Sequence, residues 1–281
     1  MDFSDAKRLA YAHGHSFNIN RSVWVYKIKR DGRFKARLCL NGASQREGVD
    51  YDQTFQSILR HSSLRVLMAI QARLGLTSCR HDLVAAFLQG SLQQDQDELV
   101  FMRYPQGYQQ LGADGKPRVF LVQKPVYGLR QAGRRFQRDF FGWLVLPIAD
   151  GGAGMSQCNH EPCIFVRHAG DETVYLGVYC DDIVAVYDRS SDKGSVYSNF
   201  RDHLYTKWKA EDEGKLTNIL MVRVSRVGGD VILDQAAYIN NMVEHFMPAG
   251  KLGSFKKYAP PFSPYFVRNI DAALALPPAS R

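Results

Sequence analysis

The sequence predicts an α+β fold, on three observations. Runs of β-branched and aromatic residues with two-residue alternation are separated by stretches whose apolar residues recur at helical spacing. Helix-like and strand-like segments alternate along the chain, and no internal repeat is evident. The composition, 45% hydrophobic and 23% charged with 16 Phe and 14 Tyr among 281 residues, supplies a core and excludes a disordered or fibrous chain. That length exceeds a usual domain of ~100–200 residues but suits one elaborated domain made of two or three subdomains.

The opening segment, residues 1–20, is mixed and weakly patterned. Residues 22–42, SVWVYKIKRDGRFKARLCLNG, read as two short strands about a turn at Asp31-Gly32. Ser62 or Ser63 then caps a helix whose apolar face carries Val66, Leu67, Ile70 and Leu74, and Gly75 stops it. A short strand ends at Asp82, followed by the apolar turn AAFLQG and the strand-like ELVFMRYPQGY. After Gly128 a helix runs through Phe136, Phe140 and Trp143 toward Pro147, with Arg130, Arg134, Arg135 and Arg138 on a basic side. ADGGAGMS reads as a flexible loop, because its glycines disfavour helix and strand.

TVYLGVYCDDIVAVY consists of two β-branched and aromatic runs around a pair of aspartates, a hairpin with the carboxylates at its tip. A further helix passes through Val196, Phe200 and Leu204. LTNILMVRVS and DVILDQ then pair around Gly228-Gly229, and a short helix, AAYINNMVEHF, precedes a proline-rich tail at residues 262–281, read as extended.

The formal charge of +8 favours a polyanionic partner, since neutralised phosphates release counterions. Its distribution is more telling: Arg21, Lys27, Lys29, Arg30, Arg33, Lys35 and Arg37 stand against Asp31 alone within 21–37. A solvated strand face is the plain alternative. Five cysteines without a CxxC pair argue for a reducing compartment, and Cys158, His160 and Cys163 lack the second ligand pair a structural zinc site needs. No signal-like apolar core opens the chain, and no apolar run approaches the ~20 residues that cross a bilayer, so no membrane role is expected.

Chemistry concentrates at Tyr179-Cys180-Asp181-Asp182. Two adjacent carboxylates inside an apolar hairpin need a cation or open water, because desolvating them uncompensated is costly. A solvent-facing turn satisfies them equally well. Asp82, at the end of a second strand with Phe87 five residues on, favours the cation: adjacent strands that bring Asp82, Asp181 and Asp182 together form an oxygen site for two hard divalent ions, the arrangement used for nucleotidyl transfer.

These segments resemble copia-type reverse transcriptases over about Val23 to Pro261. KIKRDGRFKARLCLNGASQREGVDYDQTF is similar to that family's basic fingers segment, HDLVAAFLQG to its first catalytic motif, KPVYGLRQAGRRF to the next, YCDD to the catalytic hairpin, and LTNILMVRV with LDQAAYI to the distal palm. The resemblance implies a right-hand polymerase palm, a ferredoxin-like antiparallel sheet with helices, plus partial fingers across 21–261. It implies that Asp82, Asp181 and Asp182 bind Mg²⁺ or Mn²⁺. Phe87 would select deoxynucleotides by clashing with a 2′-hydroxyl, Arg37, Arg30 and Lys35 would hold the triphosphate, and Gly128, Tyr127 and Gln131 would line the floor beneath the nucleotide.

The expected function is RNA-directed DNA polymerisation on a primed RNA or DNA template with deoxynucleoside triphosphates. It would belong to a retrotransposon polyprotein working in a cytoplasmic particle. The alternative is a decayed or co-opted fragment that binds nucleic acid without polymerising. Three departures from the family pattern stand out: the short DGRF turn, Asn41-Gly42 in place of Lys-Gly, and Ile219-Leu220-Met221 in place of a Phe-Leu-Gly turn.

Overall fold

In the computed structural model, which describes residues 1–29, 31–92, 99–188 and 194–246, side-chain alternation along one sheet organises everything near the paired aspartates. In chain order the elements are α1 (Phe3–Ala12), β1 (Ile19–Asn20), β2 (Ser22–Ile28), β3 (Phe34–Leu40), α2 (His61–Arg73), β4 (Thr77–Leu83), β5 (Phe101–Arg103) and β6 (Val119–Leu121). Then come α3 (Ala132–Val145), β7 (Ser156–Gln157), β8 (Ile164–Ala169), β9 (Glu172–Tyr179), β10 (Asp182–Tyr187), α4 (Val196–Lys207), β11 (Ala210–Lys215), β12 (Asn218–Ile219), β13 (Val222–Val227), β14 (Asp230–Asp234) and α5 (Ala236–Phe246). The mixed α+β class expected from the alternating periods is the class observed.

The chain divides into two units, Met1–Thr217 with Ser225–Ile232, and Asn218–Val224 with Leu233–Arg281. In the first, the central sheet has the order β11-β4-β10-β9-β8-β7, and its neighbouring strands run antiparallel. Cys79, Leu83, Leu176, Val178, Ile183 and Ala185 turn one face toward Phe136, Phe140 and Trp143 of α3 and Phe200 and Leu204 of α4, forming the main core. Gly177 turns the other way: a Cβ there would lie 2.8 Å from Leu67 Cδ1 of α2, so this glycine lets helix and sheet approach closely. The period of two therefore puts Ser78, Arg80 and Asp82 on the α2 side, where Gln71 Nε2 of α2 donates to Ser78 Oγ at 2.7 Å.

Several sequence expectations change. The weakly patterned opening forms α1, whose buried stripe is Ala6 and Ala10 packed on Phe101 and Val119. Alanines carry too little apolar area for such a stripe to stand out in sequence. The expected capping serine of α2 is not used; Arg60 occupies the cap, and Ser63 Oγ donates instead to Glu161 Oε2 at 2.6 Å. The buried face of α2 is Leu64, Leu67, Met68 and Gln71, whereas Val66 and Leu74 are exposed, because the core lies about 100° around the helix from the face expected. Gly75 does end it, at φ +66°.

Arg135, assigned to a basic helix side, is buried, and Arg130 precedes α3. The glycine-rich ADGGAGMS is docked rather than free: the N–H groups of Ala153, Gly154 and Met155 donate to the carbonyls of Trp143, Leu146 and Leu144 at 3.0, 2.9 and 2.8 Å. These bonds satisfy the open carbonyls at the end of α3, a tertiary demand that propensity does not register. ELVFMRYPQGY contributes only β5, which joins β1 in parallel and β6 antiparallel.

In the second unit, LTNILMVRVS is not one strand. Leu220 and Met221 adopt φ of +51° and +63°, and the turn they make sets Ile219 opposite Val222. Left-handed backbone is expected of glycine or asparagine, so the residue types gave no sign of this turn, and only the resemblance to a Phe-Leu-Gly turn pointed to it. The proline-rich tail lies outside the described residues.

Candidate active site

Pairing of β4 with β10 sets Asp182 directly opposite Asp82, and pairing of β10 with β9 sets Asp182 opposite Tyr179, leaving Cys180 and Asp181 as the turn. Cys180 holds φ +53°, a conformation that costs an L residue roughly 1–2 kcal/mol. The turn is tied down: Leu83 N–H donates to Asp181 O at 2.9 Å, and Gln56 Nε2 donates to Cys180 Sγ at 3.5 Å. Strain of this kind, held by neighbours, is characteristic of functional turns.

Burial, then the charges of Asp181 and Asp182, hold the Asp82 carboxyl above the ordinary carboxylate range. Burial also raises Asp182, against the opposing pull of Arg80. Arg80 lies two residues before Asp82 on the same strand face; its Nη2 and Nε sit 2.6 and 2.8 Å from Asp182 Oδ1, and its Nη1 lies 3.1 Å from Glu213 Oε2. Pairing of β11 with β4 sets Glu211 opposite Asp82 and Asp212 opposite His81, which brings Glu213 up to Arg80 where the register shifts between Asp212 and Lys215. Among the described residues, no three His, Cys, Asp or Glu side chains converge as a metal cage. The donor chemistry still fits a hard divalent cation: crowded carboxylate oxygens on one side of the sheet, one of them exposed at the turn and one destabilised by like charge.

A carboxyl whose folded pKa is raised costs stability at neutral pH, and that cost fades as pH falls through the folded value toward the unfolded one of ~3.9. Asp82→Asn is therefore expected to raise the melting temperature at pH 7, with the gain shrinking as the pH is lowered to about 4. Thermal melts across that range check the sign; a gain that grows on acidification would contradict the burial and repulsion at Asp82.

Around the carboxylates, Ala85 at φ +52° turns the chain out of β4 so that Phe87 lies 5.4 Å from the Tyr127 ring and 6.2 Å from Phe136. Arg37 stacks its guanidinium 4.6 Å over the other partner of that pair, Tyr127. The β2–β3 hairpin is a two-stranded sheet with Val25 opposite Arg37 and Lys27 opposite Lys35. Val25, Lys27, Lys29, Lys35 and Arg37 thus line a cavity of about 440 Å³. Burial and the neighbouring Arg37 and Lys29 lower the Lys35 pKa, while the negative charge of Asp82 opposes them.

Gly128, at φ +85°, brings the loop before α3 against β3: a Cβ would sit 2.0 Å from Leu40 O, and Leu40 N–H donates to Tyr127 O at 2.9 Å. Gln131 is fully buried; its Oε1 accepts from Gln45 at 3.0 Å and its Nε2 donates to Asp50 O at 2.7 Å. Its side chain braces the junction rather than facing an open floor. Arg30 lies outside the described residues. Asp82, Asp181, Asp182, Phe87, Tyr127 and Arg37 thus belong to one continuous neighbourhood. Sequence reasoning missed Arg80 and Glu213. The Arg-x-Asp spacing in a strand was a readable sign of the first; the pairing of β11 with β4 that delivers the second was not.

Residues 16–260 match the profile of the reverse transcriptase (RNA-dependent DNA polymerase) family. The chain is 29% identical over 231 residues to the retrovirus-related Pol polyprotein from transposon TNT 1-94 of Nicotiana tabacum, covering 79% of this chain and 16% of that protein. It is 28% identical over 226 residues to the Pol polyprotein from transposon RE1 of Arabidopsis thaliana, covering 79% and 14%. Against the transposon Ty1-DR4 Gag-Pol polyprotein of Saccharomyces cerevisiae it is 24% identical over 164 residues, covering 58% and 9%. The chain thus spans less than a fifth of the length of these relatives. No helix among the described residues is long and apolar enough to cross a membrane. With a profile covering most of its length and transposon polyproteins as relatives, the chain belongs to the reverse transcriptase (RNA-dependent DNA polymerase) family, in its copia-type retrotransposon branch.

Proposed function

We propose that this chain is the polymerase segment of a retrotransposon polyprotein and extends a primer with deoxynucleotides on an RNA or DNA template, in a cytoplasmic particle. In this reading the central sheet with α2, α3 and α4 acts as palm and the β2–β3 hairpin as fingers, within residues 21–261. The observation that carries it is the register placing Asp182 opposite Asp82, with Asp181 at the turn between β9 and β10.

Asp82, Asp181 and Asp182 are the carboxylates that would face Mg²⁺ or Mn²⁺. Such ions, when bound, activate the primer 3′-hydroxyl and neutralise the leaving pyrophosphate. The protein's own part is positioning and charge. Arg37, held over Tyr127, presents a guanidinium to the triphosphate, and Lys35 adds a second cation from the same strand; Arg30 is assigned to the same task from sequence. Gly128 sets the height of Tyr127 against β3, and Gln131 fixes the start of α3 beneath it. Phe87, backed by Tyr127 and Phe136, presents a rigid ring edge to the sugar. Phe87→Ala is expected to raise ribonucleotide incorporation on the order of tenfold or more relative to deoxynucleotides, in single-nucleotide insertion assays.

Extension of a DNA primer on an RNA template with Mg²⁺ or Mn²⁺ tests the reading. Extension by the parent and none by an Asp181→Ala, Asp182→Ala double variant supports it. Template binding without extension by the parent favours the decayed or co-opted alternative.

A further inference from the structure

We infer that Arg80 is a built-in counter-ion that withholds Asp182 from metal coordination, leaving Asp82 and Asp181 as the pair that holds the ion. This rests on the metal-centre reading above and assigns unequal work to its carboxylates. Asp182 is not a free ligand: two guanidinium nitrogens of Arg80 converge on its Oδ1 at 2.6 and 2.8 Å, and both side chains are largely buried, with 26% and 19% of their surface exposed. A charge-assisted pair in that setting is stronger than a surface pair and is expensive to open.

Glu213 completes the clamp. It holds Nη1 at 3.1 Å from the far side, so the guanidinium is gripped from two strands, β10 and β11, while its own stem rises from β4. Asp182 must therefore give up both Arg80 contacts before it can turn toward an ion, and Glu213 keeps the guanidinium in place beside it. Asp181 contrasts with this at every point: it is exposed, it lies in the turn, and its backbone rather than its side chain secures it to Leu83. Arg80 is thus a positioning residue. It sets how many carboxylates the site offers and places a fixed positive charge beside them, which weakens the binding of any divalent cation.

The test is Mn²⁺ binding to the full 281-residue chain, read by the electron paramagnetic resonance of free Mn²⁺, independent of polymerisation. Asp82→Asn and Asp181→Asn are expected to weaken binding about tenfold or more, and Asp182→Asn less than about threefold. Arg80→Gln is expected to tighten it on the order of tenfold by removing the charge and freeing Asp182, and adding Asp182→Asn to it returns the affinity toward the parent. Arg80→Lys, which keeps the charge but not the fork, falls between. Circular dichroism of each variant confirms the fold. Asp182→Asn weakening Mn²⁺ as strongly as Asp181→Asn, with no tightening in Arg80→Gln, would overturn the role of Arg80 while leaving the metal centre standing. Unchanged Mn²⁺ binding in all the aspartate variants would overturn both.

Discussion

Asp181→Asn is expected to lower metal-dependent primer extension by about 10³-fold or more, corresponding to roughly 4 kcal/mol of lost transition-state stabilisation. Asp181 is exposed in the turn between β9 and β10, and the turn is secured through its backbone by Leu83, so the isosteric amide leaves the hairpin in place. What changes is the charge that the turn would offer to a divalent ion. Single-turnover extension at saturating template measures the loss, and a melting curve overlapping the parent's shows that it is chemical. Extension within tenfold of the parent would remove Asp181 from the metal-holding set. Asp182→Asn should cost less by this measure, because Asp182 is already committed to Arg80.

Gly128→Ala carries the largest expected effect on stability. The new Cβ would lie 2.0 Å from the carbonyl oxygen of Leu40, and Gly128 itself sits at φ +85°. The clash is backbone against backbone, so no side-chain rotation relieves it; the strand β3 or the loop at Tyr127 must move, and the Leu40 to Tyr127 hydrogen bond of 2.9 Å with it. A loss of about 2–4 kcal/mol is expected, lowering the melting temperature by roughly 5–15 °C. Gly151→Ala is the control, since Gly151 has φ +83° but nothing within 4 Å of its Cβ; it should show only the conformational cost of about 1 kcal/mol. Equal effects at the two positions would mean that backbone conformation alone, not the contact with β3, makes Gly128 necessary. The displaced loop also carries Tyr127, on which Arg37 rests, so nucleotide affinity is expected to fall along with stability.

Legibility in this chain follows the range of the interactions. The hairpin about Asp181 and Asp182 was readable because two β-branched runs with a polar interruption admit few other local structures, and β9 and β10 occupy those runs. The same holds for α3 and α4, whose large apolar residues repeat at helical spacing and are buried where they repeat. By contrast, α1 buries alanines, and the turn at Leu220-Met221 uses residues with no local preference for it. The buried face of α2 was misplaced because Val66 is as apolar as Leu64, and only the position of the sheet decides between them. Buried Gln131 and Arg135 likewise carried no sign in the sequence of the partners that admit them to the interior.

By itself the sequence determined the α+β class, the basic hairpin and the motif order, because each depends on residue type and short-range period. Tertiary structure alone decided that Asp182 lies opposite Asp82, that Arg80 takes hold of it while Glu213 takes hold of Arg80, and that the backbone of β3 closes on Gly128. Those outcomes turn on strand register and on contacts between segments far apart in the chain, where one residue of slip would send each side chain to the opposite face of the sheet.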